Sequence, residues 1–277
     1  MANIVTQGNH PIDSDTRTLI SRRYRAITKA INRRFWGSES ETDHSFYVGS
    51  YGRGTAISTS DLDVLIELPI SCYEQFSNRS GNGQSHLLQT GKDAISDHYA
   101  TTDMSGDGQV VVINFSDGMK FEILPAFRKL DYWNNWDGTY IYPNTHMGGN
   151  WLTTDPKAEQ LAMDNKNRES NGLLRDTCKQ IRAVRSTYFS SYHLSGILID
   201  SFVYLAIRDW HWLREGEEGS GNPAGAYEMT LWNYYNEEYP YPDLLPPQIK
   251  APGSGMKIDT DKDWEVLGKV LKKIAGA

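Results

Sequence analysis

A stripe of apolar residues near the start of the chain recurs at helical spacing. The stripe consists of Ile20, Tyr24, Ile27, Ile31 and Phe35. Residues three or four apart lie on one face of an α-helix, so this spacing predicts a long amphipathic helix over residues 14–36. Many Lys and Arg side chains occupy its other faces. We interpret them as a solvated surface, with contact to an anionic ligand or partner as the alternative.

Short runs with the composition of β-strands follow this helix. Residues 45–48 and 62–68 are expected to be strands, because a segment rich in Gly, Ser and Thr separates two β-rich runs. Residues 109–115 and 119–124 predict a β-hairpin, in which Gly118 can supply the positive φ of a tight turn. The first half of the chain is therefore expected to contain a sheet.

The second half of the chain changes to helical periodicity, which predicts a sheet-containing domain over 1–155 and a helical domain over 156–277. The helical segments are 171–188, 194–213 and 264–274. Other segments predict loops or irregular structure because they are rich in Gly, Ser, Asn or Pro or lack periodicity. These segments are 77–91, 131–154, 216–225 and 239–248.

Length and charge restrict the class of protein. A chain of 277 residues with 39% hydrophobic residues is long enough to bury a substantial core, which excludes fibrous and disordered classes. Its net charge of -7 argues against binding to polymeric nucleic acid, which needs clustered cations.

The cysteines and the absence of apolar stretches bear on location. Cys72 and Cys178 have neither the spacing of a zinc site nor that of a disulfide framework, so a reducing cytoplasm fits best. No targeting segment and no membrane-spanning run are expected. We therefore expect a cytoplasmic protein without membrane contact.

Two acidic residues in the second predicted strand are the strongest candidates for chemistry. Asp61 and Asp63 are two residues apart, so their carboxylates should leave the same face of the strand, opposite to Leu62 and Val64. Two such carboxylates repel each other unless they share a proton or bind metal cations, and Mg²⁺ is the natural choice because it takes carboxylate and phosphate oxygens together. An Asp-x-Asp pair alone is also common on solvated strand edges.

Two further features of the sequence favour a metal-binding role for this pair over a solvated strand edge. Gly49 and Ser50 end the preceding strand at a turn, where backbone N–H groups and a hydroxyl could hold phosphate oxygens. Glu122 lies on a later strand and would supply a third carboxylate if that strand paired beside the first. Asp117, in the predicted hairpin turn, is the alternative third acidic residue.

Together these residues resemble the DNA polymerase β-like nucleotidyltransferases, with their Gly-Ser pair, Asp-x-Asp and later acidic residue. Within that superfamily the chain is most similar to the bacterial cGAS/DncV-like nucleotidyltransferases, which make cyclic oligonucleotide signals in antiphage defence. The matching stretches are GSYGRGT, SDLDVLIEL, KFEILPAF, WLTTDP and SSYHLSGILIDSF. Many relatives have Asp where this chain has Glu122. The resemblance implies an α+β fold, with a mixed-sheet nucleotidyltransferase core, a C-terminal helical bundle and a cleft between them.

The resemblance also implies roles for individual residues in a two-metal phosphoryl transfer. Asp61 and Asp63 would bridge two Mg²⁺ ions, for which Mn²⁺ could substitute, and Glu122 would hold the ion at the attacking hydroxyl. Gly49 and Ser50 would bind the triphosphate of the donor nucleotide.

Residues of the helical half would contribute the rest of the nucleotide site. Lys179 and Ser191 resemble the residues that reach the β- and γ-phosphates, with Arg182 as an alternative cation. Tyr192 could stack on a base. Lys179 could also be an ordinary surface cation, and Ser191 and Tyr192 could serve in helix capping and core packing. Arg53 and Thr55 are expected to be structural.

Three functions follow from this resemblance. The first is condensation of nucleoside triphosphates into a cyclic second messenger that a separate effector protein senses, catalysed by a monomer. The second is transfer of one nucleotide to a protein, RNA or small-molecule acceptor. The third is a degenerate member that binds nucleotide or a partner without turnover. We favour the first.

Overall fold

The chain divides into two structural units, each built from more than one segment. The computed structural model describes residues 4–219, 221–239 and 247–277, so residues 240–246 of the predicted non-helical segment lie outside the described residues. Residues 13–52 and 61–156 form one unit, called here the sheet unit. The described residues up to Ile12, residues 53–60 and residues from 157 form the other, called the helical unit. The sequence did not predict that residues 53–60 belong with the helices.

The sheet unit contains a mixed β-sheet of seven strands. The strands are β1 (Ser45–Tyr47), β2 (Leu62–Glu67), β3 (Asp103–Asp107), β4 (Val110–Asn114), β5 (Lys120–Leu130), β6 (Trp136–Asn144) and β7 (Asn150–Thr154). Their order is β1-β2-β5-β4-β3, while β6 pairs with β5 and β7. The β2–β5 pair is parallel and the others are antiparallel. The predicted hairpin is confirmed as β4 and β5, and Gly118 in its turn has φ 86°.

The helices of the sheet unit begin with the long one that the sequence predicted. They are α1 (Ser14–Trp36), α2 (Gly49–Gly52), α3 (Ile70–Ser77) and α4 (Gly83–Ser96). The Asp13 side chain accepts a hydrogen bond from Thr16 N at the start of α1, and Gly37 ends the helix in the left-handed conformation. Ile20, Ile27 and Ile31 of the predicted stripe are buried.

Two predictions of irregular structure in this unit are wrong. Most of residues 77–91 lie in α3 and α4, whose connection ends at Asn82, which caps α4 by accepting from Ser85 N. Residues 131–154 contain β6 and β7, which pair with each other. The aromatic residues of this segment stabilise the sheet, since Tyr140 is fully buried in a cluster with Val48, Leu65 and Ala126.

The helical unit contains the second hydrophobic core. Its helices are α5 (Pro156–Glu169), α6 (Leu173–Tyr188), α7 (Gly196–Ala206), α8 (Ala226–Glu238) and α9 (Asp261–Ala275). Apolar residues of α6, α7, α8 and α9 form one buried cluster that includes Phe202 and Leu267. The helix predicted over 194–213 ends at Ala206, and the described part of the predicted loop 216–225 is neither helix nor strand. No helix in the described ranges is long and apolar enough to cross a membrane.

A buried ionic network lies within the helical unit. Asp200 on α7 is fully buried and accepts hydrogen bonds from Arg53 Nε at 2.8 Å and Arg182 Nη1 at 2.7 Å. Thr55 Oγ1 donates to the same carboxylate at 2.9 Å, and Glu159 pairs with Arg53 at 3.2 Å. Arg53 and Thr55 are therefore structural, as the sequence suggested. They attach residues 53–60 to the helices.

Candidate active site

The sheet places three acidic residues on one face of two neighbouring parallel strands. Asp61 immediately precedes β2, Asp63 is its second residue, and Glu122 lies directly opposite Asp63 on β5. Residues opposite each other in a ladder point to the same face, so the predicted pairing of Glu122 with the first acidic strand is confirmed at the level of the backbone. On the other face of β5, Phe121 and Ile123 are buried in the core.

A tight turn lies against the carboxylate of Asp63. The N–H of Val48 donates to the carbonyl of Asp63 at 2.8 Å, and the chain then forms the single helical turn α2. Gly49 has φ 57°, and a Cβ at this position would lie 1.8 Å from Asp63 Oδ2. Only glycine therefore allows the carboxylate and the turn to approach this closely. Ser50 is the next residue of the turn and is half-buried.

An ammonium group bridges two of the three carboxylates. Lys120 Nζ lies 3.0 Å from Asp61 Oδ2 and 2.5 Å from Glu122 Oε1. Partial burial disfavours the charged amine, but the hydrogen bonds to Glu122 and Asp61 outweigh this effect and raise the pKa of Lys120. The site therefore carries one positive charge among its three carboxyl groups. Lys120 was not among the predicted site residues, although its position two residues before Glu122 places it on the same face of β5.

The donors suit a hard divalent cation in chemistry and in backbone position. Carboxylate oxygens are the protein ligands that Mg²⁺ prefers. The positively charged Lys120 ammonium lies between two of these carboxylates. Within the residues that the structure describes, no three His, Cys, Asp or Glu side chains are grouped so as to hold a metal ion. Asp61 and Glu122 accept hydrogen bonds from the Lys120 ammonium.

The alternative third acidic residue lies elsewhere in the sheet unit. Asp117 is in the β4–β5 turn and accepts a hydrogen bond from Arg23 Nη1 at 3.0 Å. The same contact with Arg23 lowers the pKa of Asp117. Because Glu122 is opposite Asp63 on the neighbouring strand, whereas Asp117 lies in the turn between β4 and β5, the geometry favours Glu122 over Asp117 as the third carboxylate.

The predicted residues of the helical unit fall into two groups. Lys179 is half-buried on α6, while Ser191 and Tyr192 are exposed in the turn between α6 and α7. Tyr192 is 47% exposed, and Lys269 Nζ lies 4.8 Å from the centre of its ring, so the core-packing alternative for this residue is wrong.

Arg182 has a different environment from these residues. It is buried, pairs with Asp200 and donates to the carbonyl of Gly196 at 2.9 Å. Its guanidinium therefore binds groups in the protein interior, and the prediction that it binds a phosphate is wrong. Sequence spacing could not show this, because Asp200 is on another helix.

Similar solved structures share the fold over nearly the whole chain. The Elizabethkingia meningoseptica CdnE cyclic dinucleotide synthase, solved with GTP and Apcpp, has a TM-score of 0.61 at 14% sequence identity, covering 94% of this chain and 91% of that chain. The Bradyrhizobium diazoefficiens CD-NTase CdnG in complex with GTP has a TM-score of 0.64 at 11% identity, covering 97% and 86%. The Vibrio cholerae DncV cyclic AMP-GMP synthase has a TM-score of 0.62 at 11% identity, covering 98% and 88%. The expected α+β nucleotidyltransferase fold is confirmed.

The sequence itself identifies the family. No curated protein matches the chain in sequence. The family described as "Second Messenger Oligonucleotide or Dinucleotide Synthetase domain" matches residues 8–167, which is more than half of the chain and includes Asp61, Asp63 and Glu122. The chain therefore belongs to the second messenger oligonucleotide or dinucleotide synthetases and is a nucleotidyltransferase.

Proposed function

We propose that this protein condenses nucleoside triphosphates into a cyclic oligonucleotide that acts as a second messenger. The observation that carries the proposal is the placement of Asp61, Asp63 and Glu122 on one face of β2 and β5, with Gly49 against Asp63. The family described for residues 8–167 makes oligonucleotide or dinucleotide messengers, and the similar structures include cyclic dinucleotide synthases. A cyclic product needs no acceptor other than the nucleotides themselves.

Asp61, Asp63 and Glu122 are the proposed ligands of two Mg²⁺ ions. Their carboxylates offer hard oxygen donors, and Mn²⁺ should substitute because it accepts the same ligands. When bound, the ions would lower the pKa of an attacking ribose hydroxyl and neutralise charge on the triphosphate. Glu122 is one methylene longer than Asp, so its carboxylate extends farther from β5.

The remaining proposed residues bind and orient the substrates. The missing side chain of Gly49 leaves room for the Asp63 carboxylate against the turn, and the Ser50 hydroxyl and neighbouring N–H groups are suited to hold phosphate oxygens. Lys179 and Ser191 are proposed to contact the outer phosphates of the donor. The exposed ring of Tyr192 is proposed to stack on a base. These contacts would contribute to the rate by orienting the nucleotides.

The proposed reaction is the same in each step. A ribose hydroxyl oxygen of one nucleotide forms a bond to the α-phosphorus of another. The bond between that phosphorus and the oxygen bridging to the β-phosphate breaks, pyrophosphate leaves, and the hydroxyl proton passes to solvent. Repeating this transfer within the linear product closes the ring.

The test is synthesis from the four nucleoside triphosphates with Mg²⁺ and no added acceptor. We expect a phosphatase-resistant product whose mass corresponds to a cyclic oligonucleotide, and the mass also identifies its bases. Labelled protein, or no product until an acceptor is supplied, would instead support single nucleotidyl transfer. If the folded protein shows neither turnover nor Mg²⁺-dependent binding of triphosphate, the degenerate alternative is supported.

The matched variants separate the candidate site from a general effect of charge. Asp61→Asn with Asp63→Asn should abolish synthesis without unfolding the chain, because the ligands for the cation are lost. Glu74→Gln with Asp97→Asn removes the same charge at exposed positions of α3 and the end of α4, and should retain synthesis. Wild-type turnover in the first variant would refute the proposed mechanism.

A signalling role adds a partner to this proposal. A messenger acts only through a receptor, so we propose a separate effector protein that binds the product, in a pathway of antiphage defence. The measurement is the amount of the same product in cells that express the protein, before and after phage infection. A level that does not change on infection would contradict a role in defence while leaving the enzymatic proposal intact.

A further inference from the structure

Lys120 occupies a position in the candidate site that the proposed function does not use. It is the first residue of β5, and the register that places Leu62 beside Phe121 sets Lys120 next to Asp61. Its ammonium contacts both Asp61 and Glu122, which are the first and last of the proposed metal ligands along the chain. One side chain therefore connects ligands that come from two strands.

The contacts of this ammonium conflict with binding of a divalent cation to the same oxygens. Mg²⁺ coordinates carboxylate oxygens at about 2.0–2.1 Å and demands near-octahedral geometry. An ammonium hydrogen-bonded to those carboxylates uses the same lone pairs and repels a second cation nearby. Either the ammonium moves when the metal binds, or the metal binds less tightly.

The exposure of the cluster makes displacement of the ammonium feasible. The side chains of Lys120, Asp61 and Glu122 are 33%, 47% and 27% exposed. A lysine has a flexible four-carbon stem and a strongly hydrated charge, so it can move from the carboxylates into solvent. A buried and fixed ion pair such as the one between Asp200 and Arg182 does not have this freedom.

We propose that Lys120 is a built-in counter-ion that competes with the divalent cation for Asp61 and Glu122 and thereby sets the affinity of the site for metal. This inference rests on the proposed function, since it takes those carboxylates as the metal ligands. In the metal-free protein the ammonium offsets repulsion among the carboxylates. Binding of metal displaces it, and the lost hydrogen bonds weaken metal affinity. Lys120 is thus a positioning residue for the metal ligands.

The test measures Mn²⁺ binding to the full chain without nucleotide, for example by the electron paramagnetic resonance signal of free Mn²⁺. Lys120→Met removes the charge and keeps a flexible apolar stem. We expect it to bind Mn²⁺ about tenfold more tightly than the wild type, which corresponds to about 1.4 kcal/mol. Lys120→Arg keeps the charge and should bind no more tightly than the wild type.

Lys129→Met is the matched control for net charge. Lys129 is also on β5, but it is exposed and pairs with Asp137 at 3.4 Å rather than with the proposed ligands. Its substitution should leave Mn²⁺ affinity unchanged. Thermal unfolding in the absence of metal checks that all three variants are folded.

The possible results separate this inference from the proposed function. If Asp61→Asn with Asp63→Asn removes Mn²⁺ binding but Lys120→Met binds Mn²⁺ no more tightly than the wild type, the counter-ion role alone is overturned. A higher KM for nucleoside triphosphate in Lys120→Met with unchanged Mn²⁺ affinity would also overturn it, because Lys120 would then be a phosphate ligand. If neither the wild type nor Lys120→Met shows Mn²⁺ binding that depends on Asp61 and Asp63, both proposals are overturned.

Discussion

The buried network around Asp200 allows a quantitative prediction for stability. Substitution of Asp200→Asn keeps the size of the side chain but removes its charge. Arg53 and Arg182 both donate to this carboxylate and are themselves buried. The variant therefore leaves two guanidinium groups with less compensating charge in the interior, and of the two only Arg53 retains an acidic partner among the described residues, in Glu159.

The expected loss is a large fraction of the stability of the chain. Removing one partner of a buried ion pair costs about 3–5 kcal/mol, because the remaining charge stays desolvated without compensation. Asparagine can still accept hydrogen bonds, so we expect about 3 kcal/mol, against a total of about 5–15 kcal/mol for a folded protein. The helical unit contains the network and should be destabilised directly.

The assay is urea unfolding at neutral pH, followed by circular dichroism and tryptophan fluorescence. The matched control is Asp209→Asn, which makes the same chemical change at an exposed position shortly after α7. A loss in Asp200→Asn of less than about 1 kcal/mol relative to this control, the size of an exposed ion pair, would refute the reasoning.

The same comparison has a defined pH dependence. Burial acts to raise the pKa of Asp200, but the charges of Arg182 and Arg53 outweigh it and the net effect lowers that pKa. A carboxyl group whose folded-state pKa is lowered stabilises the protein above its unfolded pKa, and this contribution is lost as the pH falls through the folded pKa. The difference between wild type and Asp200→Asn should be constant at neutral pH and shrink below about pH 4. Burial raises the pKa of Glu159 and the charge of Asp200 adds to this rise, so Asp200→Asn should bring the pKa of Glu159 closer to its ordinary value.

Three further predictions concern the candidate site and the basic helix. Gly49→Ala should lower turnover by about tenfold or more in folded protein, since its Cβ would displace the neighbouring carboxylate and strain the turn; unchanged turnover would show that neither matters. Glu122→Gln should lower turnover by about a hundredfold while Asp117→Asn retains it, and the reverse result would transfer the third acidic role to the hairpin turn. Arg22→Glu with Arg34→Glu should change turnover by no more than about twofold, because both side chains extend from α1 on a surface that we interpret as solvated; a large loss in folded protein would point to an anionic activator.

Local sequence patterns were sufficient to predict α1 and the hairpin that carries Glu122. The stripe of α1 and the hairpin of β4 and β5 depend on neighbours in sequence. The ends of α1 and the position of the hairpin turn were predicted correctly, whereas β5 continues to Leu130 instead of ending at residue 124. The prediction of a loop over residues 77–91 was wrong because it relied on the many Gly, Ser and Asn residues there, which disfavour helix. Gly83 is at the start of α4 for a tertiary reason, since a Cβ there would lie 1.8 Å from the carbonyl oxygen of Phe76.

The missed strands and the misassigned arginine share a different cause. Most residues of β6 are half-buried or buried without a regular alternation, so the period of two that identifies a strand is absent. Arg182 lies on a helix face that faces Asp200 of another helix rather than solvent. Contacts between elements far apart in sequence determine both outcomes, and no local pattern contains them.

The contacts of Lys120 show which part of the site the local sequence pattern predicts and which part depends on contacts between distant elements. The alternation of side chains along β5 already places Lys120 and Glu122 on one face, so the sequence alone implied a cation beside the third acidic residue. Its contact with Asp61 depends on the parallel register of β2 and β5, which joins strands more than 50 residues apart. With that register the three carboxylates and the ammonium carry a net charge of -2 rather than -3. A count of acidic residues therefore overstates the attraction of the metal-free site for divalent cations, because part of that attraction is already satisfied by the chain itself.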